Sequence, residues 1–219
     1  MAETARISLP TVIEAALGRL SVAACDQRLA DWARRLCDQA AIELEVRGAE
    51  EVDWRRAYVV MSNHQSHYDI PILYRVLRGT VRMVTKQELF RVPVWGRAMR
   101  DAGFVSIDRK NRASAIESIR EAAAAVERGV SIWIAPEGTR SRSGELGTFK
   151  KGGFIMARDL GAPILPVCIS GSRKVLPPDT LAVVRGQHVR VSFGAVISTA
   201  DQTTEQLMDQ VRAFFQANL

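Results

Sequence analysis

Cysteine is scarce in these 219 residues: Cys25, Cys37 and Cys168 are all there is, and no two share a CxxC spacing. That excludes a disulfide framework and leaves three thiols expected to be reduced, as in a cytosolic protein. Long apolar runs are missing as well. A membrane-spanning helix needs roughly 18 or more uncharged apolar residues, and the longest candidate, Leu9 to Cys25, is interrupted by Glu14 and Arg19. The first residues, Met1 to Arg6, lack the basic patch and apolar core of a signal peptide, so a cytoplasmic location is expected. Glycine (15) and proline (8) are too few for low-complexity linkers. Apolar residues at 47% and charged residues at 25% match an ordinary globular domain, which rules out wholesale disorder, collagen and coiled coil.

What is present is unevenly charged. The chain carries a net +6, yet residues 1–50 hold six basic and eight acidic side chains. Residues 75–112 hold ten basic ones against Glu88, Asp101 and Asp108. A local excess of that size predicts an anionic partner: phosphate, lipid headgroups or nucleic acid. Nucleic acid fits poorly, because the segment offers only Phe90, Trp95 and Phe104 as aromatics and no recognised binding motif.

Residues 10–42 repeat apolar side chains at three and four, which predicts one or two helices with a polar break at Asp26 to Arg28. From there on, short strands alternate with helices. Strands are expected near 58–62, 81–85, 104–107, 130–135, 164–169 and 189–193. Helices are expected near 71–77, 94–101, 113–128, 153–160 and 203–215. This alternation predicts an α/β fold: a mixed, mostly parallel central sheet covered by helices on both faces, preceded by an N-terminal helical hairpin. Residues 1–45 form the helical segment, a cover or a membrane-surface anchor, and residues 46–219 the α/β domain.

Two of the three histidines fall in the stretch Asn63 to Asp69, directly after a predicted strand, where open α/β sheets hold ligands. His64 and Asp69 are five apart and would stand on nearly opposite faces of a regular helix. Contact therefore requires a turn that curls back. Such a turn lets the carboxylate fix the imidazole tautomer and leaves the other ring nitrogen free as a base. Ser66 lacks the flanking glycines of a nucleophile elbow, so the nucleophile is expected to be the substrate's own hydroxyl. Metal ligation by His64, His67 and Asp69 matches no common zinc spacing, and a plain turn histidine is the remaining reading.

Four ordered blocks resemble the glycerolipid acyltransferases of the 1-acyl-sn-glycerol-3-phosphate (lysophosphatidic acid) type. They are Asn63-His64 through Asp69 (NHxxxxD); Gly103 to Arg109, preceded by Lys86 to Phe90 and Pro93 to Gly96; Pro136 to Ser141, followed by Phe149 to Gly153; and Ile164 to Val167. Ser106 and His67 depart from the residue types common in that family. The resemblance implies acyl transfer from acyl-CoA or acyl-carrier protein, as co-substrate, to a lysophospholipid hydroxyl, with no cofactor, no metal and no acyl-enzyme. It implies His64 as general base and Asp69 as its orienting partner. Lys86, Arg109, Glu137, Gly138, Thr139 and Arg140 become the substrate-binding set. Arg109 and Arg140 are suited to a phosphate, Glu137 is expected to orient Arg140 or another cation, and backbone amides near Gly138 are candidate oxyanion donors. The acyl groove is sought among Val92, Val94, Trp95 and Phe104. A substrate that lives in a bilayer implies peripheral attachment to the cytoplasmic face of an anionic membrane. The alternatives are another lysolipid acceptor, such as a lyso-ornithine lipid, and a non-catalytic lipid-binding module.

Overall fold

A computed structural model of the chain describes residues 2–93, 95–107 and 112–219. In chain order the elements are α1 (Ala2–Ala16), α2 (Val22–Gln39), β1 (Glu43–Arg47), a 3-10 turn (Ala49–Glu51), β2 (Val59–Ser62), α3 (Asp69–Val76), β3 (Val81–Lys86), α4 (Gln87–Phe90), α5 (Trp95–Asp101), β4 (Val105–Ile107), α6 (Arg112–Glu127), β5 (Ser131–Ile134), α7 (Lys151–Asp159), β6 (Ile164–Ser170), α8 (Ser172–Val175), β7 (His188–Phe193) and α9 (Thr204–Asn218). Among the described residues the strands form one seven-stranded sheet in the order β1-β7-β6-β2-β5-β3-β4. Only β6 and β7 pair antiparallel; the other neighbours are parallel.

The expected α/β architecture with an N-terminal hairpin is what the chain adopts. Alternate side chains of the central strands feed opposite layers. Val60, Val167 and Ile169 pack with Cys37, Ala40, Ile72 and Leu73 of α2 and α3. Val59, Met61 and Cys168 pack with Phe154 of α7 and with Leu207, Val211 and Phe215 of α9. Such two-sided burial explains why β2 reads as an unbroken apolar run rather than an alternating one. Thr203 caps α9 through a capping box with Gln206, which satisfies the first free amides of that helix.

The hairpin differs from expectation in two places. Asp26 to Arg28 do not interrupt a helix, because those polar groups are used inside the protein. Asp26 accepts from Arg82 Nη1 at 2.5 Å and from Thr80 Oγ1 at 2.7 Å, and Arg28 pairs with Glu14. The break comes instead at 17–21, where Gly18 takes a positive φ of 65° and Ser21 caps α2. Strand β1 begins at Glu43, within the stretch expected to be helical. Its alternating Glu43-Leu44-Glu45-Val46-Arg47 has the period of an edge strand, and it pairs with β7.

The basic segment 75–112 is also less outward-facing than its charge suggests. Arg82 is buried near the start of β3, where it donates to the carbonyls of Ala102 and Val81 and pairs with Asp26. Arg100 donates to the Phe90 carbonyl, and Arg97 pairs with Asp101. A long side chain that reaches a buried carbonyl or carboxylate is used as a strut.

Candidate active site

Parallel strands β2, β5, β3 and β4 bring their carboxyl ends to one edge of the sheet, and the sequence blocks converge there. Asn63 is buried just past β2. Its amide donates to the Ile169 carbonyl at 2.8 Å and accepts from the Ile169 N–H at 2.7 Å, so the side chain continues the β2–β6 ladder one step further. The chain then curls, without helix, through 64–68. His64 Nδ1 lies 2.7 Å from Asp69 Oδ2, and the same oxygen accepts the N–H of Gln65 at 2.7 Å and of Ser66 at 2.8 Å. Asp69 is fully buried as the first residue of α3, where the helix N-terminus favours a carboxylate. An ionised carboxylate only accepts hydrogen bonds, so Nδ1 carries the proton and Nε2 presents its lone pair. The Trp133 ring packs edge-on at 6.4 Å between centroids, and its indole N–H is held by Ser62 Oγ at 2.9 Å.

Glu137 does something other than what its motif suggests. Its carboxylate is buried and accepts two backbone amides: His64 N–H at 3.1 Å on Oε1 and Gly147 N–H at 2.8 Å on Oε2. No ion pair with Arg140 is present among the described residues. The Ser141 N–H bonds the His64 carbonyl at 2.7 Å, and Gln65 Nε2 bonds the Gly144 carbonyl at 2.7 Å. Together these contacts clamp the loop after β5 against the turn that carries His64. Gly138 adopts a φ of 72°, and its N–H is bonded to the Ala135 carbonyl at 3.0 Å. Asn63 and Gln65 had no signal in the sequence beyond their place in the motif; their amides act on backbone that is distant along the chain.

Arg140 has no hydrogen bond or ion pair among the described residues. It opens on a polar groove of about 570 Å³ lined also by Thr139, Ser141, Arg142, Ser143 and Lys150. Thr139 is exposed. Burial first, then the charge of Arg140, holds the neighbouring His67 imidazole below its ordinary pKa, toward the neutral form. Lys151 is spent on Glu205 at 2.6 Å, which separates it from Lys150. Lys86 ends β3 in register with Ile107, the last residue of β4, at the same sheet edge. Arg109 lies outside the described residues. Among the described residues no three His, Cys, Asp or Glu side chains converge as a metal site.

An apolar chamber of about 410 Å³ runs between the hairpin and the sheet, lined by Ile7, Leu29, Trp32, Ile70, Met99 and Phe104, among others. Of the four residues expected to form the groove, Phe104 lines it and Val92 does not, being 47% exposed. Val94 lies outside the described residues, and Trp95 begins α5. Leu29 and Trp32 read as helix periodicity alone; the cavity exists because α1 and α2 stand off the sheet. Burial pushes all three thiols up, Cys37 to about 11 and Cys168 to about 12, so none is poised as a nucleophile.

The profile of the acyltransferase family matches residues 43–170, more than half of the chain. The chain belongs to the acyltransferase family. It is 36% identical over 155 residues to the chloroplastic 1-acyl-sn-glycerol-3-phosphate acyltransferase of Brassica napus, covering 70% of this chain and 45% of that protein. It is 38% identical over 130 residues to the human 1-acyl-sn-glycerol-3-phosphate acyltransferase alpha, covering 59% of this chain and 46% of that one. The chain therefore spans less than half the length of either relative. The crystal structure of the 1-acyl-sn-glycerophosphate acyltransferase of Thermotoga maritima superposes with a TM-score of 0.79 at 25% identity, covering 98% of this chain and 88% of that one. At that coverage the N-terminal hairpin falls almost wholly within the shared fold.

Proposed function

We propose that this acyltransferase-family chain moves a fatty acyl group from a thioester donor, acyl-CoA or acyl-carrier protein, to the free hydroxyl of 1-acyl-sn-glycerol-3-phosphate, giving phosphatidic acid. One observation carries the reading: a histidine steered by a buried carboxylate is bonded through its backbone to the loop that presents Arg140, an arginine with no hydrogen bond or ion pair among the described residues. His64 Nε2 takes the hydroxyl proton as the oxygen attacks the thioester carbonyl. The tetrahedral intermediate then collapses, the C–S bond breaks, and the imidazolium returns its proton to the departing thiolate. No acyl-enzyme forms, and the step draws on no cofactor. Arg140, with Arg109, Lys86 and Thr139, holds the acceptor phosphate. The acyl chain fills the chamber. The names of the relatives support the acceptor.

Purified protein with lysophosphatidic acid and each donor class, read by mass spectrometry, tests this; absence of phosphatidic acid with every donor refutes it. A phosphate-free acceptor such as a lyso-ornithine lipid distinguishes the alternative, because Arg140→Ala should then cost nothing. The chamber makes its own prediction. Ala98 is buried on its wall. Each buried methylene contributes a factor of about four, so Ala98→Phe, by displacing two methylenes, should lower kcat/KM for the longest acyl chains by about 15-fold and spare short ones. Equal loss at all lengths would show that the chain lies elsewhere.

Residues 1–45 are proposed to serve both as chamber wall and as an anchor on the cytoplasmic membrane surface, with residues 46–219 as the catalytic domain. No described helix is long and apolar enough to cross a membrane. Leu9 and Ile13 on α1 at i, i+4, with Leu17 just past its end, form an exposed apolar stripe, which is the geometry of an interfacial helix. Flotation with anionic vesicles should fall about tenfold or more for Leu9→Asp/Ile13→Asp; unchanged flotation would leave the hairpin as a cover only.

A further inference from the structure

Leu181 is 97% exposed, and Val183 and Val184 beside it are 41% and 44% exposed. The segment that carries them is not a loose loop. The Val184 N–H closes its neck on the Val175 carbonyl at 2.8 Å. Ser66, within the catalytic turn, donates its hydroxyl to the Leu176 carbonyl at 3.1 Å, which ties one root to the site. The Gly186 N–H bonds the Ala40 carbonyl at 2.9 Å, which ties the other root to the end of α2. Thr180 Oγ1 accepts the Ala182 N–H at 2.8 Å and orders the tip. The result is a braced protrusion with an apolar tip. Its flanks are cationic: Lys174 and Arg185 are exposed without ion pairs among the described residues, and Arg142 is 83% exposed, facing Asp179 only at 3.9 Å.

We propose that residues 176–186 form a membrane-inserting finger. Leu181, Val183 and Val184 enter the upper acyl layer of the bilayer while Lys174, Arg185 and Arg142 meet anionic headgroups. The proposal rests on the reading above that the acceptor is a lysolipid held in a membrane. Lipid is the occupant that the chemistry favours. Protein interfaces concentrate their energy in Trp, Tyr and Arg, with Leu and Val under-represented; the finger's tip is purely aliphatic and asks only for apolar volume, while its cationic rim matches an anionic leaflet. The bond from Ser66 sets the consequence. The finger and the catalytic turn share a brace, so seating the finger brings His64 to headgroup depth, where a lysolipid hydroxyl is presented without leaving its leaflet.

The test is the full chain carrying Leu181→Asp/Val183→Asp, compared with wild type on vesicles of phosphatidylcholine with phosphatidylglycerol. These side chains face solvent, so folding is preserved. Burial of an aliphatic side chain corresponds to about tenfold or more in partitioning. The expected results are a vesicle partition coefficient at least about tenfold lower, a parallel loss of turnover on long-chain lysophosphatidic acid in vesicles, and unchanged turnover on a short-chain acceptor dissolved as monomer. In a Leu181→Trp variant, the indole emission should shift to the blue on vesicles and be quenched by brominated acyl chains. Unchanged partitioning, or an indole that stays in water, overturns the finger. Equal loss on the dissolved acceptor also overturns it, since the segment would then belong to the site itself. Protection of the indole by acyl-carrier protein without vesicles overturns it in favour of a protein contact. Should wild type bind vesicles through the finger and yet transfer nothing in either format, acyl transfer fails and the finger stands.

Discussion

His64→Ala is expected to lower acyl transfer by about 10²–10⁴, the range that a positioned general base supplies, while vesicle binding and thermal stability stay close to wild type. The separation is possible because the histidine's structural bonds are made by its backbone: its N–H goes to Glu137 and its carbonyl receives Ser141. The imidazole itself makes one hydrogen bond, to Asp69, whose loss costs about 1 kcal/mol. Asp69→Asn should produce a comparable fall in turnover. An amide can donate to Nδ1 and so stabilise the tautomer that masks Nε2, which in a buried triad removes about 10⁴. Steady-state assays on lysophosphatidic acid beside thermal melts decide the matter. Near-normal turnover by the alanine variant would remove the histidine from the chemistry, and a collapsed melting temperature would recast it as a fold residue.

Glu137→Ala is expected to damage both stability and turnover. Two backbone amides lose a charged acceptor, each worth about 1.5–3 kcal/mol. At about 2–4 °C per kcal/mol for a domain of this size, the melting temperature should fall by roughly 6–24 °C. Turnover should drop with it, because the amide that pins His64 is released, whereas KM for the phosphate-bearing acceptor should change little. Glu137→Gln retains one oxygen acceptor and should fall between the two. A raised KM with an unchanged melting temperature would instead make Glu137 a substrate ligand, as its place in the motif first implied.

That contrast marks where sequence reading stops. The NHxxxxD stretch predicted that a turn must bring residue 69 back to residue 64, and it does; residues five apart stand on nearly opposite faces of a helix, so no regular helix could pair them. Glu137 was expected to orient Arg140 or another cation, and its carboxylate instead accepts two backbone amides. A carboxylate next to an arginine in a motif suggests an ion pair, whereas the acceptors that a buried loop lacks are for backbone amides, and those are invisible in a string of side-chain types. The same holds for Asn63, whose two bonds reach Ile169 across 106 positions. Arg82 shows the opposite error: one more cation in a basic segment turned out to be a buried strut. Strand β1 was hidden by its own charges, since an edge strand buries too little to look apolar.

Residue order alone determined the alternation of strands and helices and the turn that returns Asp69 to His64, because periodicity and motif spacing are local properties of the chain. Tertiary structure alone decided which groups carry the loops, which arginine faces the groove, and where an apolar chamber lies. The chamber has walls from α1, α2, α3, α5 and β3, and a volume enclosed by five elements has no counterpart in any one of them.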